Sequence, residues 1–301
     1  MKKGWKRFWI GCGVAAGVGF ICCIAAVMLG VTTQAIENRF PDGIVIGRMH
    51  VLSGFGHKEE VSPSEHHHSG SMAYGTATGS PDEIIAGNNT LTFSGITEID
   101  AYVWSGAMEV KVSDDLADGE MVLSTKDVKE ELGLRCWADG DEFHIETEEG
   151  ALKLLKGNAG TVELYLPLGY VFQDAELDVG TGAVYVDDIR AHDLTVSVGA
   201  GEAEVAQFTA QEAEFSCGAG RLRAAGAAEH KADLECGLGE IDYTAAGKQT
   251  DYNYSIECSG EVICGESVYS GLGMDETVSN QAAKEINIEC GMGQVVVDFT
   301  E

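Results

Sequence analysis

Residues 177–186 read LDVGTGAVYV, and the pattern returns three times, as VSVGAGEAEV at 196–205, FSCGAGRLRA at 215–224 and LECGLGEIDY at 234–243. Each copy starts 19 residues after the one before it. With 39 glycines in 301 residues, Gly-x-Gly triplets alone carry little information, but a constant interval with matching flanks is what a structural repeat requires. The pattern therefore indicates stacked units that bury their apolar rows only against their neighbours.

Small or apolar residues alternate with polar ones on both sides of each triplet. Such alternation on either side of a glycine bend is typical of two half-buried strands that meet at a corner. The sequence therefore predicts an all-β fold, specifically a parallel β-solenoid or β-helix-like repeat domain with coils of about 19 residues. Equivalent side chains of successive coils would then stack roughly 4.8 Å apart. An antiparallel β-sandwich is the alternative fold.

The pattern returns near the C-terminus, where residues 286–299 read INIECGMGQVVVDF. The 54 residues from Gly237 to Gly291 blur the register and are expected to hold two or three irregular coils or an insertion. A helical turn or two is predicted at 126–132. Ahead of the repeats, alternating segments separated by turn residues predict strands at 91–93, 98–104, 108–112, 142–146 and 161–166.

The N-terminus predicts a membrane anchor. Residues 8–31 carry no charge and follow Lys2, Lys3, Lys6 and Arg7. About 20 apolar residues suffice to cross a bilayer as a helix, and a basic flank stays cytoplasmic. We therefore expect a cytoplasmic tail at 1–7, a single transmembrane helix at 8–31, a juxtamembrane region and flexible linker at 32–81, and an extracellular β-repeat domain at 82–301. A cleaved signal peptide is the competing interpretation of the apolar stretch.

The chain is strongly acidic, with a net charge of −30. This excludes ordinary nucleic-acid binding, because phosphate contacts need Lys and Arg. An acidic exterior can attract Ca²⁺ or basic cell-wall components, although Asp and Glu on outward strand positions also serve solubility alone. His66, His67 and His68 lie in the linker and are expected to be solvated rather than bound to metal.

The cysteines fall into separate groups. Cys12, Cys22 and Cys23 lie in the predicted membrane segment, where they are small apolar fillers. The other six are Cys136, Cys217, Cys236, Cys258, Cys264 and Cys290.

Cys217, Cys236 and Cys290 occupy the position directly before Gly-x-Gly that Val179 and Val198 fill in earlier coils, which predicts buried free thiols. Neighbours on stacked strands are near the distance of a disulfide but badly aimed for one. In the irregular stretch, Cys258 and Cys264 are the better candidates for a bridge. Zinc and thioredoxin-like chemistry have no support, since no CxxC occurs.

Catalytic motifs are absent from the sequence, so we assign no catalytic, cofactor-binding or metal-binding residue and predict that the protein is not an enzyme. His144, His192 and His230 each lack a paired nucleophile in sequence. A charged group at one coil corner, Asp187, Asp188, Arg190, His192 and Asp193, could line a carbohydrate-active face, but a solvated turn is the simpler interpretation.

Residues 162–169, which read VELYLPLG, followed by the repeat at 177–186, resemble the bacterial "putative adhesin" domain family of cell-envelope proteins. The resemblance covers roughly residues 90–301 and implies a surface-binding role, with no catalytic residues. We therefore expect a membrane-anchored cell-surface protein with a non-catalytic, adhesin-like role and a cell-wall, glycan or protein partner. A carbohydrate-active solenoid enzyme and an accessory protein of an envelope-stress system are the alternatives.

Overall fold

The computed structural model describes residues 44–46, 49–52, 80–148 and 159–300. The predicted transmembrane helix at 8–31, most of the linker and the three linker histidines lie outside these residues. By its internal contacts the chain divides into two units, 1–69 and 70–301. In the first unit, an antiparallel pair is formed by β1 (Ile44–Ile46) and β2 (Met49–Leu52).

The second unit consists of β-strands with short 3₁₀ turns at Glu130–Leu132 and Gln249–Asp251. Its first part contains β3 (Gly87–Ser94), β4 (Glu98–Val103), β5 (Ala107–Ser113), β6 (Glu120–Val128), β7 (Arg135–Asp139), β8 (Glu142–Glu146) and β9 (Thr161–Pro167). All five strands predicted ahead of the repeats are present. The predicted helical turn at 126–132 is shorter than expected, because residues 126–128 continue β6.

The repeat block follows as β10 (Phe172–Val179), β11 (Ala183–Val186), β12 (Ile189–Val198), β13 (Glu202–Cys217), β14 (Arg221–Cys236) and β15 (Glu240–Ala246). Within it, strands pair in parallel at an offset of 19 residues, so that Val179 lies beside Val198, Val198 beside Cys217 and Cys217 beside Cys236. The predicted stacking of this row is confirmed. The parallel pairing also rules out an antiparallel sandwich for this block.

The remaining strands are β16 (Tyr252–Cys258), β17 (Glu261–Cys264), β18 (Ser267–Ser270), β19 (Met274–Val278), β20 (Lys284–Cys290) and β21 (Gln294–Thr300). The last coil, β20 and β21, stacks directly on β14 and β15, and β16 and β17 stack on its far side. Residues 247–283 are therefore an insertion that leaves the stack and returns to cover it, as one of the two sequence interpretations expected.

Antiparallel strands complete both ends of the stack. β18 and β19 pair antiparallel with β17 and β16, and at the other end β7 pairs antiparallel with β8 and β6 with β9. A purely parallel solenoid is therefore wrong for the whole unit: a parallel solenoid-like centre is closed by antiparallel edges. An edge strand that does not match the repeat is a poor template for pairing with another copy of the repeat, which protects the ends of the stack.

Each coil contributes to two ladders of strands. The leading ladder contains the strands that run into a glycine corner, together with the antiparallel strands at its two ends. In stacking order these are β7, β8, β4, β10, β12, the second halves of β13 and β14, then β20, β16 and β19. The trailing ladder contains those that leave the corner, namely β3, β6, β9, β5, β11, the first halves of β13 and β14, then β15, β21, β17 and β18. Inward side chains of both ladders form one continuous apolar core.

The second glycine of each corner is required because the backbones of neighbouring coils approach closely there. A Cβ on Gly239 would clash with the carbonyl oxygen of Gly220 and lie 2.7 Å from the Sγ of Cys217. The corner glycines of the repeat do not have positive φ, so space rather than backbone conformation selects glycine.

All six cysteines outside the predicted anchor are buried free thiols. This confirms the expectation for Cys217, Cys236 and Cys290. The proposed bridge between Cys258 and Cys264 is wrong, because Cys258 lies beside Cys290 in the leading ladder, whereas Cys264 lies beside Val297 in the trailing ladder.

Candidate binding surface

The outward face of the leading ladder, which we call the acidic face, presents carboxylates in register. Three rows of outward positions run along the stack, and all of their residues are exposed or half-buried. In stacking order the rows are Glu142, Glu98, Asp174, Asp193, Glu212, Lys231, Glu285 and Asn253; His144, Asp100, Glu176, Thr195, Glu214, Asp233, Asn287 and Ser255; and Glu146, Tyr102, Asp178, Ser197, Ser216, Glu235, Glu289 and Glu257.

Crowding on this face disfavours ionisation of the central carboxyls. Burial, the larger cause, and the charge of Asp193 raise the pKa of Asp174. Burial and the neighbouring charges of Asp178 and Asp100 raise the pKa of Glu176, and the pKa of Asp178 is also raised, mainly by burial. Burial and neighbouring acids thus both disfavour the ionised form of these carboxyls, whereas a bound cation would favour it.

On the trailing ladder, acidic side chains lie beside basic ones. The side chain of Arg221 lies 2.9 Å from Glu240, and Arg223 lies 3.5 Å from Asp242 and 3.9 Å from Glu204. Opposite charges therefore stand on adjacent coils in this ladder.

The pairing on the trailing ladder continues beyond the repeat block. Lys111 lies between Glu109 and Glu163, at 2.7 Å and 2.5 Å. Its hydrogen bond to Glu163 lowers the pKa of that carboxyl. The two ladders thus differ in charge balance rather than in acid content alone.

Cations are few on the acidic face of the described residues. Lys231 stands in the first row and lies 2.6 Å from Asp233, and His144 heads the second row. The excess of carboxylates is therefore left to solvent or to a ligand.

One compact group on the acidic face joins Asp100, Glu142 and His144, whose ligand atoms lie within 4.8 Å of one another. The Nδ1 of His144 lies 3.1 Å from Asp100 and its Nε2 lies 3.6 Å from Glu142. Trp137 stacks on the imidazole with 4.9 Å between the ring centroids. Each ring nitrogen of His144 thus faces one carboxylate, so the arrangement of the group is explained without a metal ion. Sequence reasoning missed it because its members lie on strands β4 and β8, 44 residues apart.

The charged corner group predicted from sequence does not converge on one point. Arg190 lies 3.6 Å from Asp188, and His192 makes its 2.7 Å contact with Gln211 of the next coil. Asp187 is exposed, and Asp193 belongs to the first row of the acidic face. His230 is exposed on β14.

An open groove of about 750 Å³ runs along the glycine corners. Gly201, Gly220, Gly239 and Gly293 lie in it, together with the exposed side chains of Leu238 and Met292. Its rim carries Glu202, Glu240 and Glu261. It is the recess nearest to the stacked thiols.

The chain belongs to the Toastrack DUF4097 family, whose pattern matches residues 96–298. The family assignment agrees with the adhesin-domain resemblance of the sequence, which covers roughly the same residues. No curated protein matches.

Among solved structures, a "putative cell adhesion protein" from Clostridium sporogenes is 12% identical, with a TM-score of 0.38, covering 71% of this chain and 100% of that one. A "putative adhesin" from Bacteroides fragilis is 13% identical, with a TM-score of 0.30, covering 72% and 97%. A "putative lipid binding protein" from Parabacteroides distasonis is 14% identical, with a TM-score of 0.33, covering 72% and 98%.

Within the described part of the chain, no helix has the length and apolar character needed to cross a membrane. The predicted anchor at 8–31 lies outside that part and stays a prediction.

Proposed function

We propose that this protein is a membrane-anchored, non-catalytic binding protein of the cell surface, whose acidic face docks on a polycationic partner in the cell envelope. The basic tail and apolar segment at 1–31 supply the anchor, and the linker to residue 81 supplies reach. The mechanism is contact through many weak charge pairs at once, without turnover.

The observation that carries this proposal is the contrast between the two ladders. Arginines compensate acids on the trailing ladder, whereas Asp174, Glu176 and Asp178 on the leading ladder are surrounded by further acids. Solubility alone needs no such segregation, because interspersed charges of both signs serve it as well. A rigid row with a repeat of roughly 4.8 Å presents its charges together, so binding need not order the backbone that carries them.

The energetics require several contacts. An exposed ion pair contributes about 0.2–1 kcal/mol, which gives no useful affinity alone. Contacts made together by one rigid surface act as a multivalent set, and their combined affinity exceeds that of any one contact by orders of magnitude.

The test uses the full chain in neutral-lipid nanodiscs and a fluorescent oligolysine peptide as the cationic probe. The variant D174N/E176Q/D178N removes three charges from the acidic face, and E109Q/E204Q/D242N removes three from the trailing ladder as a matched control. At about 0.5 kcal/mol per contact, the first should weaken binding on the order of tenfold and the second by less than about twofold. Equal losses in both variants would show that only net charge matters and would refute a docking face.

The anchor is tested separately in intact bacterial cells. Protease added outside should remove residues 82–301 and leave 1–31 with the membrane fraction. Release into the medium, without added protease, of a chain that lacks the apolar stretch would instead support the cleaved signal peptide.

A further inference from the structure

Four buried thiols stand side by side in the leading ladder. Cys217 lies beside Cys236, Cys236 beside Cys290, and Cys290 beside Cys258. They come from four different coils, and each is at most 4% exposed. The other coils of this row carry valine, at Val103, Val179 and Val198, so apolar packing does not require cysteine here.

The spacing of the row disfavours a disulfide and fits a two-coordinate metal bridge. In-register neighbours on parallel strands stand roughly 4.8 Å apart, whereas a disulfide needs Cβ atoms about 3.5–4.5 Å apart. Two metal–sulfur bonds of about 2.3 Å in line span about 4.6 Å. A tetrahedral four-thiolate zinc site is excluded, because the outer thiols of a straight row of four lie roughly 14 Å apart.

The thiols lie directly under the floor of the corner groove. The Sγ of Cys236 is 2.6 Å from where a Cβ would stand on Gly293, and the Sγ of Cys290 donates to the carbonyl oxygen of Gly293 at 3.2 Å. Only glycine backbone therefore separates this pair from the open groove. The groove rim carries Glu240 and Glu261, which attract a cation toward the opening.

We propose that Cys236 and Cys290 form a site for a soft monovalent cation of the Cu(I) class, bound in line between two sulfurs under the glycine corner. Soft thiolate ligands select such ions over hard cations. Binding converts two thiols and one ion into a dithiolate complex with release of the thiol protons, and no group is oxidised or reduced. Cys217 and Cys258 extend the row on either side and provide adjacent positions for the ion.

The experiment titrates Ag(I), a redox-inert probe of the same class, into the full chain in detergent. All proteins carry Cys12→Ala, Cys22→Ala and Cys23→Ala, so that the predicted membrane segment contributes no thiol. The test variant is the double substitution Cys236→Val/Cys290→Val, because valine fills this row in other coils and the remaining row thiols, Cys217 and Cys258, then stand roughly 14 Å apart. The controls are Cys136→Val and Cys264→Val, which remove buried thiols outside the row.

The expected result is tight uptake by the parent and both controls, a loss of affinity of at least a hundredfold in the test variant, and a higher Tm of the parent on binding, since a ligand of the folded state stabilises it. Zn²⁺ at the same concentration should have no effect. Unchanged Ag(I) affinity in the test variant, or a lower Tm of the parent on adding Ag(I), would overturn the proposal. Should a variant fail to fold, X-ray absorption at the silver edge of the parent decides, because two sulfur neighbours support the site and oxygen or nitrogen neighbours refute it.

Discussion

Cys236 and Cys290 are neighbours on adjacent parallel strands, although 54 residues separate them along the chain. The C-terminal coil therefore lies inside the stack, between the repeat block and the coil formed by β16 and β17. The chain leaves the repeat after Ala246, builds the outer coil and its antiparallel edge, and then inserts its own end behind them. Stability and function of the unit depend on this order.

The interior place of the last coil predicts a large effect of Ile288→Ala. Ile288 lies between Leu234 and Ile256 and is 1% exposed. Removing this side chain should lower the free energy of unfolding by about 2–5 kcal/mol, as for other fully buried sites. Denaturant unfolding of the full chain in detergent measures it.

The control for that prediction is Val268→Ala on the edge strand β18, where the side chain is 61% exposed. It should change the free energy of unfolding by less than about 0.5 kcal/mol. A small effect of Ile288→Ala would contradict the interior position of the coil.

The glycine corners predict a steric penalty at Gly239. Gly239→Ala should destabilise the fold by about 1–3 kcal/mol, because the new methyl group meets the carbonyl oxygen of Gly220 and the sulfur of Cys217. The Tm of Gly239→Ala is compared with that of the parent, and an unchanged Tm would argue against coil contact as the reason for glycine.

The acidic face predicts that mild acid stabilises the protein. Asp174, Glu176 and Asp178 have folded-state pKa values above their unfolded values. The stability they contribute is full below the unfolded pKa values and is lost as the pH rises through the folded ones. The Tm should therefore rise as the pH falls from 7 toward about 5, just above the ordinary carboxyl range.

The paired carboxyl of Glu163 changes the stability with pH in the opposite direction. The pKa of Glu163 is lowered by Lys111, so its contribution is present above the unfolded pKa and is lost as the pH falls through the folded one. In D174N/E176Q/D178N the rise in Tm between pH 7 and pH 5 should shrink, and an undiminished rise would show that other groups cause it.

The repeat made the centre of the fold predictable from sequence, while its ends were not. Val179, Val198 and Cys217 stand at a constant interval and face the same core, so their stacking follows from periodicity. The pairing of Cys236 with Cys290 follows no period, since an insertion of any length can return to the same strand edge. The antiparallel edges were missed for a similar reason, because alternation in β18 or β7 is the same for either strand direction.

Only the sign of the charge on the candidate surface could be predicted from the sequence. The excess of acid is visible in the composition. The segregation of carboxylates to one ladder is not, because it depends on which outward positions of successive coils lie before the glycine corner and which lie after it. The contact of Asp100 with His144 requires knowing that β4 and β8 are neighbours, which no local pattern near either residue indicates. Likewise Cys258 joined the thiol row only because its coil stacks behind the last one.

The most direct test of the acidic docking face is the salt dependence of oligolysine binding to the full chain. Contact through many charges predicts that the logarithm of the affinity falls steeply with the logarithm of the salt concentration, as neutralised charges release or take up ions. The slope should be shallower in D174N/E176Q/D178N and unchanged in E109Q/E204Q/D242N. A slope that is the same in all three proteins would contradict the docking face.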